Sequence, residues 1–274
     1  MKNLELLLSS GKDIIQNIST MSDDDLGVLA EYINDTFDKA DIQTNHYFHA
    51  GIYIREMVVP ANCFVIGQAH TSGDFTNILT QGSALLRNEE GEIMEVTAPY
   101  ISNAKNGNRK TAYFTSDSKW INIHNTDKTT VKEVEKDILV PESPLFKTRY
   151  EYIKAIKDIG FTHEQVQSIT QQHQDLICID MSLFGVEVQS SPIDGMGLFT
   201  TKDFKQGDVI CPTRICDFRT EAGRYTNHSD FPNVESKLLD GQSVHYIALK
   251  DLLVGDEILV DYREAYKLLR EMEK

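Results

Sequence analysis

Leu4, Leu7 and Leu8, followed by Ile14, Ile15 and Ile18, recur at three- and four-residue intervals, the period of a helix with one apolar face. Ser22 before Asp23, Asp24 and Asp25 has the chemistry of an N-cap with an acidic first turn, and it predicts a second helix through Leu26, Leu29, Ile33 and Phe37. From Gly51 the period changes to short β-type runs: Ile52 to Ile54, Val58-Val59, Cys63 to Ile66, Asn77 to Leu79, Ala84 to Leu86 and Trp120 to Ile123. Turn chemistry separates them at Pro60-Ala61-Asn62, Gln81-Gly82, Glu89-Glu90-Gly91 and Asn106-Gly107-Asn108. Many short strands at near-regular spacing predict a small barrel or sandwich.

Val131 to about Gln174 returns to helical periodicity, with Pro141 and Pro144 as a break and Tyr150, Ile153, Ile156 and Ile159 along one face. A last set of β runs begins at Phe184 to Val188 and continues at Asp208 to Ile210, Tyr246 to Leu249 and Glu257 to Val260; a helix from Glu264 to Met272 closes the chain. The divisions predicted are a helical N-terminal segment (1–49), a β-rich unit (50–140), a helical connector (141–178) and a C-terminal unit (179–274).

The balance of 27 Lys and Arg against 42 Asp and Glu leaves a formal charge of -15 over 274 residues. Such a chain is repelled by phosphate backbones and anionic lipid, so bulk nucleic-acid or membrane-surface binding is disfavoured and a Lys-rich partner is drawn weakly. The 4 cysteines, Cys63, Cys178, Cys211 and Cys216, form no C-x-x-C pair, which argues against a secreted disulfide framework and a zinc knuckle. No stretch approaches the roughly 20 apolar residues of a membrane span, and the first apolar run is too short for a signal peptide. The reading is an intracellular, soluble, cytoplasmic protein.

Three segments of the C-terminal unit carry candidate chemistry, in the order Gly195-Met196-Gly197-Leu198-Phe199, then Arg224-Tyr225-Thr226-Asn227-His228-Ser229, then Gly255-Asp256-Glu257-Ile258-Leu259-Val260-Asp261-Tyr262. Ala248-Leu249-Lys250-Asp251 precedes the last of them. In this order and content they resemble the SET domain of S-adenosylmethionine-dependent protein-lysine methyltransferases, over about Phe184 to Tyr266. The resemblance implies that the loop of Gly195, Met196 and Gly197 touches the methionine moiety of the cofactor, glycines letting backbone come close where a Cβ would fill the space. It also implies that Tyr225, Asn227 and His228 serve the cofactor's amino end and adenine, within a segment that threads under another as a pseudoknot. Tyr262 matches the family's catalytic tyrosine. Methyl transfer is an in-line displacement by a neutral amine, so alignment, desolvation and a dry aromatic channel are what the protein supplies.

Blander readings stand beside these. Asn227-His228-Ser229 also reads as a turn or capping cluster, and Tyr262 as a core tyrosine at a strand end. Tyr266 either covers a lysine channel or belongs, with Leu269 and Met272, to the apolar face of a terminal helix. Only about 30 residues separate Gly197 from Asn227, so the insert that builds much of the family's substrate groove is nearly absent. The family's Cys-rich zinc-binding flank is missing, and Cys211 and Cys216 read as buried small hydrophobes.

The middle unit, about residues 50 to 137, resembles a cupin, a small β-barrel, through Gly67-Gln68-Ala69-His70, Gln81-Gly82, Ala98-Pro99, Asn106-Gly107 and Trp120-Ile121-Asn122-Ile123-His124. Thr71 and Ser72 follow His70, and Asn108, Arg109 and Lys110 follow Gly107, so two imidazoles and the carboxylate of a metal-binding cupin are absent and no metal is expected. His70 and His124 could still face one another. A barrel without metal suits a small-ligand pocket, a dimer interface that makes a homo-oligomer, or a substrate-positioning module.

The fold class expected is thus mainly β with helical segments, a cupin-like β-barrel followed by a minimal SET domain of β-clip and pseudoknot type. The function expected is that of a protein-lysine N-methyltransferase with S-adenosyl-L-methionine as cofactor and a protein or peptide bearing an accessible lysine as partner. The alternatives are a non-catalytic binding or structural protein on the same frame, and a metal enzyme in the middle unit. The joining of the two units resembles uncharacterised proteins of bacteriophages and bacteria, which implies the cytoplasm of a bacterium or of a phage-infected host.

Overall fold

A computed structural model describes residues 11–71, 75–88, 90–104, 109–239 and 241–272. The Leu4 to Leu8 helical run, Ser72, Glu89 and the Asn106-Gly107-Asn108 turn lie outside the described residues. The chain divides into two units, Met1–Phe146 and Lys147–Lys274.

In the first unit, α1 (Gly11–Asn17) and α2 (Asp23–Thr36) form where the apolar period predicted helix. Ser22 caps α2 as expected: its Oγ accepts from the Asp25 N–H at 3.1 Å, and Asp25 Oδ2 accepts from the Ser22 N–H at 3.3 Å. Ile14, Ile15, Ile18, Leu26 and Leu29 bury themselves against Leu85 and Tyr113. Arg87 ties this layer down, donating from Nε to the Ile18 carbonyl at 3.1 Å and from Nη2 to the Met21 carbonyl at 2.8 Å.

The strands of this unit are β1 (Gln43–His49), β2 (Ile52–Val59), β3 (Cys63–Ile66), β4 (Phe75–Gln81), β5 (Ser83–Arg87), β6 (Ile93–Thr97), β7 (Tyr100–Ala104), β8 (Thr111–Phe114) and β9 (Ser118–Asn125). They form a five-stranded sheet in the order β1-β2-β9-β4-β7 and a four-stranded sheet in the order β3-β8-β5-β6. This corrects the expected cupin-like barrel and the expected mainly-β class: the chain is mixed α/β, and among the described residues no sheet closes. Closure requires each outer strand to find a partner, and neither β1 nor β7 pairs with β3 or β6. The physical reason lies in β1 and β9. The strand β1 is polar and almost wholly exposed, so nothing seats it on the second sheet. The strand β9 pairs with β2 on one flank, from Ile52–Asn125 to Val59–Ser118, and with β4 on the other, using its hydrogen bonds within one sheet.

Alternate residues of β2, β4 and β9, among them Arg55, Phe75, Asn77, Trp120 and His124, line a cavity of about 450 Å³. Helix α3 (Val131–Ile138), capped by Thr130, packs Val134 and Ile138 on Tyr53. Buried Arg109 pairs with Glu142 through a forked contact and lies 5.1 Å from the centroid of the Phe146 ring. Pro144 opens α4 (Pro144–Asp158) instead of breaking a helix, since the first helical position needs no N–H.

The second unit continues with α5 (His163–Gln171), where Thr162 and Gln165 form a capping box. Its strands are β10 (Val186–Ser190), β11 (Met196–Thr200), β12 (Val209–Ile215), β13 (Phe218–Arg219), β14 (Asn227–His228), β15 (Val234–Leu239), β16 (Ser243–Ala248) and β17 (Glu257–Val260); α6 (Glu221–Tyr225) precedes β14 and α7 (Tyr262–Met272) ends the described chain. Two four-stranded sheets result, β10-β11-β17-β14 and β13-β12-β16-β15, around a core of Val186, Leu198, Phe204, Cys211, Leu252 and Ile258.

The first of these sheets brings the three sequence motifs together. Strand β11 pairs antiparallel with β17 at Leu198–Ile258 and Phe199–Glu257, and β14 pairs parallel with β17 at Asn227–Leu259 and His228–Val260. Asn233 extends the ladder with its side chain, donating from Nδ2 to the Glu257 carbonyl at 2.8 Å and accepting at Oδ1 from the Leu259 N–H at 2.7 Å.

Gly82 is the glycine on which the β4–β5 turn depends: φ is +88°, and a Cβ would come within 2.2 Å of Ser118 Oγ and 2.5 Å of the Asp117 carbonyl oxygen. Gly82→Ala is expected to destabilise the first unit by about 1–3 kcal/mol, the cost of backbone held in a sparsely populated region. Urea denaturation checks this, and an unchanged midpoint would contradict it.

Candidate functional site

The loop between β10 and β11 is closed by a hydrogen bond from the Ser191 N–H to the Gly195 carbonyl at 2.9 Å, and Ser191 Oγ accepts from the Ile193 N–H at 2.9 Å. The two glycines of the loop do different work. At Gly195, with φ of +49°, a Cβ would meet nothing within 4 Å, so the space before it is open. At Gly197 a Cβ would lie 2.4 Å from Glu257 Oε1, so a larger residue there would have to displace the Glu257 carboxylate. Met196 is exposed between them.

Glu257, the first residue of β17, is the meeting point. Its Oε1 accepts from Ser191 Oγ at 2.8 Å and from Asn227 Nδ2 at 2.8 Å. Asn227 Nδ2 also points to the carbonyls of Asp194 (3.3 Å) and Met196 (3.4 Å). Every one of these partners is an acceptor, which fixes the amide with its nitrogen inward and leaves Oδ1 without a donor among the described residues.

His228 is buried at 1% exposure. Its Nδ1 accepts from the Tyr262 N–H at 3.2 Å, so the proton of a neutral ring sits on Nε2, which donates to Asp230 Oδ1 at 3.1 Å. Burial holds the imidazole below its ordinary value, against the opposite pull of Asp230 and Asp261. Burial also opposes ionisation of Asp230, but hydrogen bonds from Arg263 and His228 prevail and hold its carboxyl below the usual range. Arg263 donates to Asp158 Oδ2 and Asp230 Oδ1, each at 2.7 Å.

Tyr262 is the first residue of α7, not the end of a strand. Its hydroxyl donates to the Thr226 carbonyl at 2.9 Å, and its ring lies 5.3 Å from His228 and 6.1 Å from Tyr152, the latter edge-on. Buried Tyr246 brings its phenol to the Thr226 hydroxyl and adjoins Tyr262. Burial, reinforced by the carboxylates of Asp194 and Glu257, pushes the Tyr262 phenol well above its ordinary value, so it stays protonated and donates.

The structure thus gathers Gly195, Met196, Gly197, Asn227, His228 and Tyr262 about β11, β14 and β17. Tyr225, half-buried at the end of α6, has no hydrogen bond to them. Tyr266 packs edge-on against Phe161 at 5.6 Å, as a helix-face residue would. Cys211 is buried, its thiol pushed up to about 12 by burial, whereas Cys216 is exposed in a turn with φ of +51° and is not the buried hydrophobe expected. Glu257 and Thr226 lie within the motifs but carry no role in the sequence reading, and nothing in the sequence singles out Tyr152 or the Asp230–Arg263 pair; only their proximity in space marks them. In the first unit His70 and His124 do face one another, their rings stacked at 5.6 Å and 17°. Among the described residues no group of three or more His, Cys, Asp or Glu could hold a metal ion, and no helix is long and apolar enough to cross a membrane.

Residues 214–263 match the family model of the SET domain. The match contains Tyr225, Asn227, His228, Glu257 and Tyr262 and excludes the Gly195–Gly197 loop. No curated protein matches the chain. Solved structures similar to parts of it include an acetylacetone dioxygenase from Acinetobacter johnsonii, 15% identical with a TM-score of 0.27 over 32% of this chain and 61% of that one. A cupin superfamily protein from Desulfitobacterium hafniense is 11% identical with a TM-score of 0.29, over 33% of this chain and 84% of that one. KdgF from Halomonas sp. is 19% identical with a TM-score of 0.29, over 35% and 94%. These likenesses are distant and assign neither fold nor activity.

A depressed imidazole makes a definite pH prediction. The unfolded chain takes up a proton on His228 near pH 6.5, the folded chain only lower, so this residue's contribution to stability is complete above about 6.5 and is lost as the pH falls toward the folded value. The His228 ring resonances are expected to remain those of the Nε2–H tautomer at pH 6.5 in an NMR titration. A midpoint at or above 6.5 would contradict the arrangement.

Proposed function

We infer that the second unit is an S-adenosylmethionine-dependent protein-lysine N-methyltransferase. The observation that carries this reading is the hydroxyl of Tyr262, inside the segment that matches the SET domain, held on the Thr226 carbonyl among Tyr152, His228 and Tyr246.

The residues present fit the cofactor. The undonated Oδ1 of Asn227 suits an ammonium group, and the open space before Gly195 admits a ligand against the backbone. S-adenosylmethionine, when bound, would supply the electrophilic methyl group. Because the Tyr262 proton is engaged by the Thr226 carbonyl, the phenol oxygen keeps its lone pairs for an N–H of the incoming lysine, which orients the amine. The surrounding rings keep water out, and desolvation favours the neutral amine needed for attack. His228 acts indirectly, its Nδ1 fixing the backbone of Tyr262. The net acidic charge favours a cationic, lysine-bearing protein or peptide.

Incubating the protein with methyl-labelled S-adenosylmethionine and a Lys-rich peptide library or cell lysate is expected to yield label on lysine. Tyr262→Phe keeps the ring and loses one hydrogen bond, so stability is expected to fall by about 0.5–1.5 kcal/mol. Turnover is expected to fall roughly a hundredfold, because a small misplacement of the reacting atoms costs that much. Equal rates for the two proteins would reject Tyr262 as the catalytic residue, and parallel loss of folding would make it a core tyrosine.

A further inference from the structure

The interior of the first unit contains polar atoms to which the described residues offer no partner. Three buried atoms in the lining of the cavity of about 450 Å³, Arg55 Nε, His70 Nδ1 and Thr111 Oγ1, make no hydrogen bond. Thr111 is only 2% exposed. Native interiors seldom leave one such atom unsatisfied, and three around one space are a built feature that a ligand or solvent must complete.

The charges indicate what kind of ligand. Arg55 brings a guanidinium to the lining, and among the described residues no carboxylate forms an ion pair with it. Arg87, also in the lining, has its donors engaged by the Ile18 and Met21 carbonyls. Among the described residues of the lining, Lys110 adds a second cation, and Glu90 and Glu135 are the acidic groups. Burial depresses both His70 and His124 to about 4, with the charges of His124, Lys110 and Arg55 adding to the shift of His70 and that of Arg55 to the shift of His124, which leaves the two rings neutral hydrogen-bonding groups. The rest of the wall mixes apolar and aromatic groups, including Met57, Phe75 and Trp120, with amides and a hydroxyl such as those of Asn77, Asn122 and Ser102.

We propose that this cavity binds a small carboxylic acid with an apolar body, its carboxylate received by Arg55 and Thr111 and its body by the wall that contains Met57 and Trp120. A single guanidinium, one hydroxyl and a neutral imidazole match a monoanion. A phosphate dianion would demand more cationic partners and would sit beside Glu90 and Glu135.

Trp120 is the chain's only tryptophan and lies in the lining, so its fluorescence reports occupancy directly. The full chain is titrated with hexanoate and cyclohexanecarboxylate, with the corresponding amides, and with hexyl phosphate. At least one of the two acids is expected to change the emission saturably and to bind about tenfold or more tighter than its amide; Arg55→Met is expected to remove that advantage and Thr111→Val to weaken binding about threefold. Neither acid saturating at millimolar concentration, equal affinity for acid and amide, or an Arg55→Met protein that folds and binds unchanged would overturn the proposal. Tighter binding of hexyl phosphate would assign the site to phosphate esters and overturn it for carboxylic acids. If Arg55→Met fails to fold, the comparison of acid and amide on the wild type decides alone.

Discussion

One carboxylate oxygen, Oε1 of Glu257, holds together the parts of the second unit on which the proposed chemistry depends. It accepts from the Ser191 hydroxyl on the loop before β11 and from the Asn227 amide on β14, while its own backbone sits in β17 opposite Phe199. The contact is close enough that a Cβ at position 197 would lie 2.4 Å from the same oxygen and push the carboxylate out of this arrangement. Three segments distant in sequence are thus brought into register by one acceptor, and the Asn227 amide is turned with its oxygen outward. Without this constraint, neither the loop nor the amide would be pre-arranged for a ligand, and pre-organisation is much of what a site offers a transferring group.

A second constraint lies on the other side of β14. His228 must be neutral, with its proton on Nε2, to accept from the backbone of Tyr262 while donating to Asp230. Arg263 then balances Asp230, and in doing so ties the first turn of α7 to Asp158 on α4. The helix that begins with Tyr262 is therefore anchored at its first two residues, and the phenol reaches the Thr226 carbonyl from a fixed start. The Asn227-His228 pair has divided labour: one side chain faces the loop and the other supports the tyrosine.

Much of this was legible in the residues. The Ser22 cap, the apolar faces of α1 and α2 and the order of the three C-terminal motifs are local signals, and local signals survive folding. What was not legible is pairing. Alternation predicts that Ile52 to Ile54 and Trp120 to Ile123 are strands, but not that β9 would be shared by β2 and β4, nor that polar β1 would remain an exposed edge and the sheets stay open. Missed strands such as β1 lack the β-branched and aromatic enrichment that marks a half-buried strand. Tyr262 was read at the end of a strand because the run Glu257 to Val260 leads directly into it; the structure begins a helix there. The roles of Glu257 and Arg55 are not legible in the sequence for a shared reason. A charged residue within a strand reads as a solvated face, and only the neighbours brought up by the fold reveal a hub in one case and an unpartnered cation in the other.

The central claim, that the Glu257–Asn227 arrangement presents a ready site for a nucleoside cofactor, is tested most directly by titration calorimetry of the full chain with S-adenosylmethionine and its demethylated product. The account predicts saturable binding by the wild type, and binding by Asn227→Ala weakened by about 1–3 kcal/mol, the worth of a hydrogen bond that leaves a buried or charged partner unmet. Absence of heat at millimolar ligand for a folded wild-type protein would contradict it.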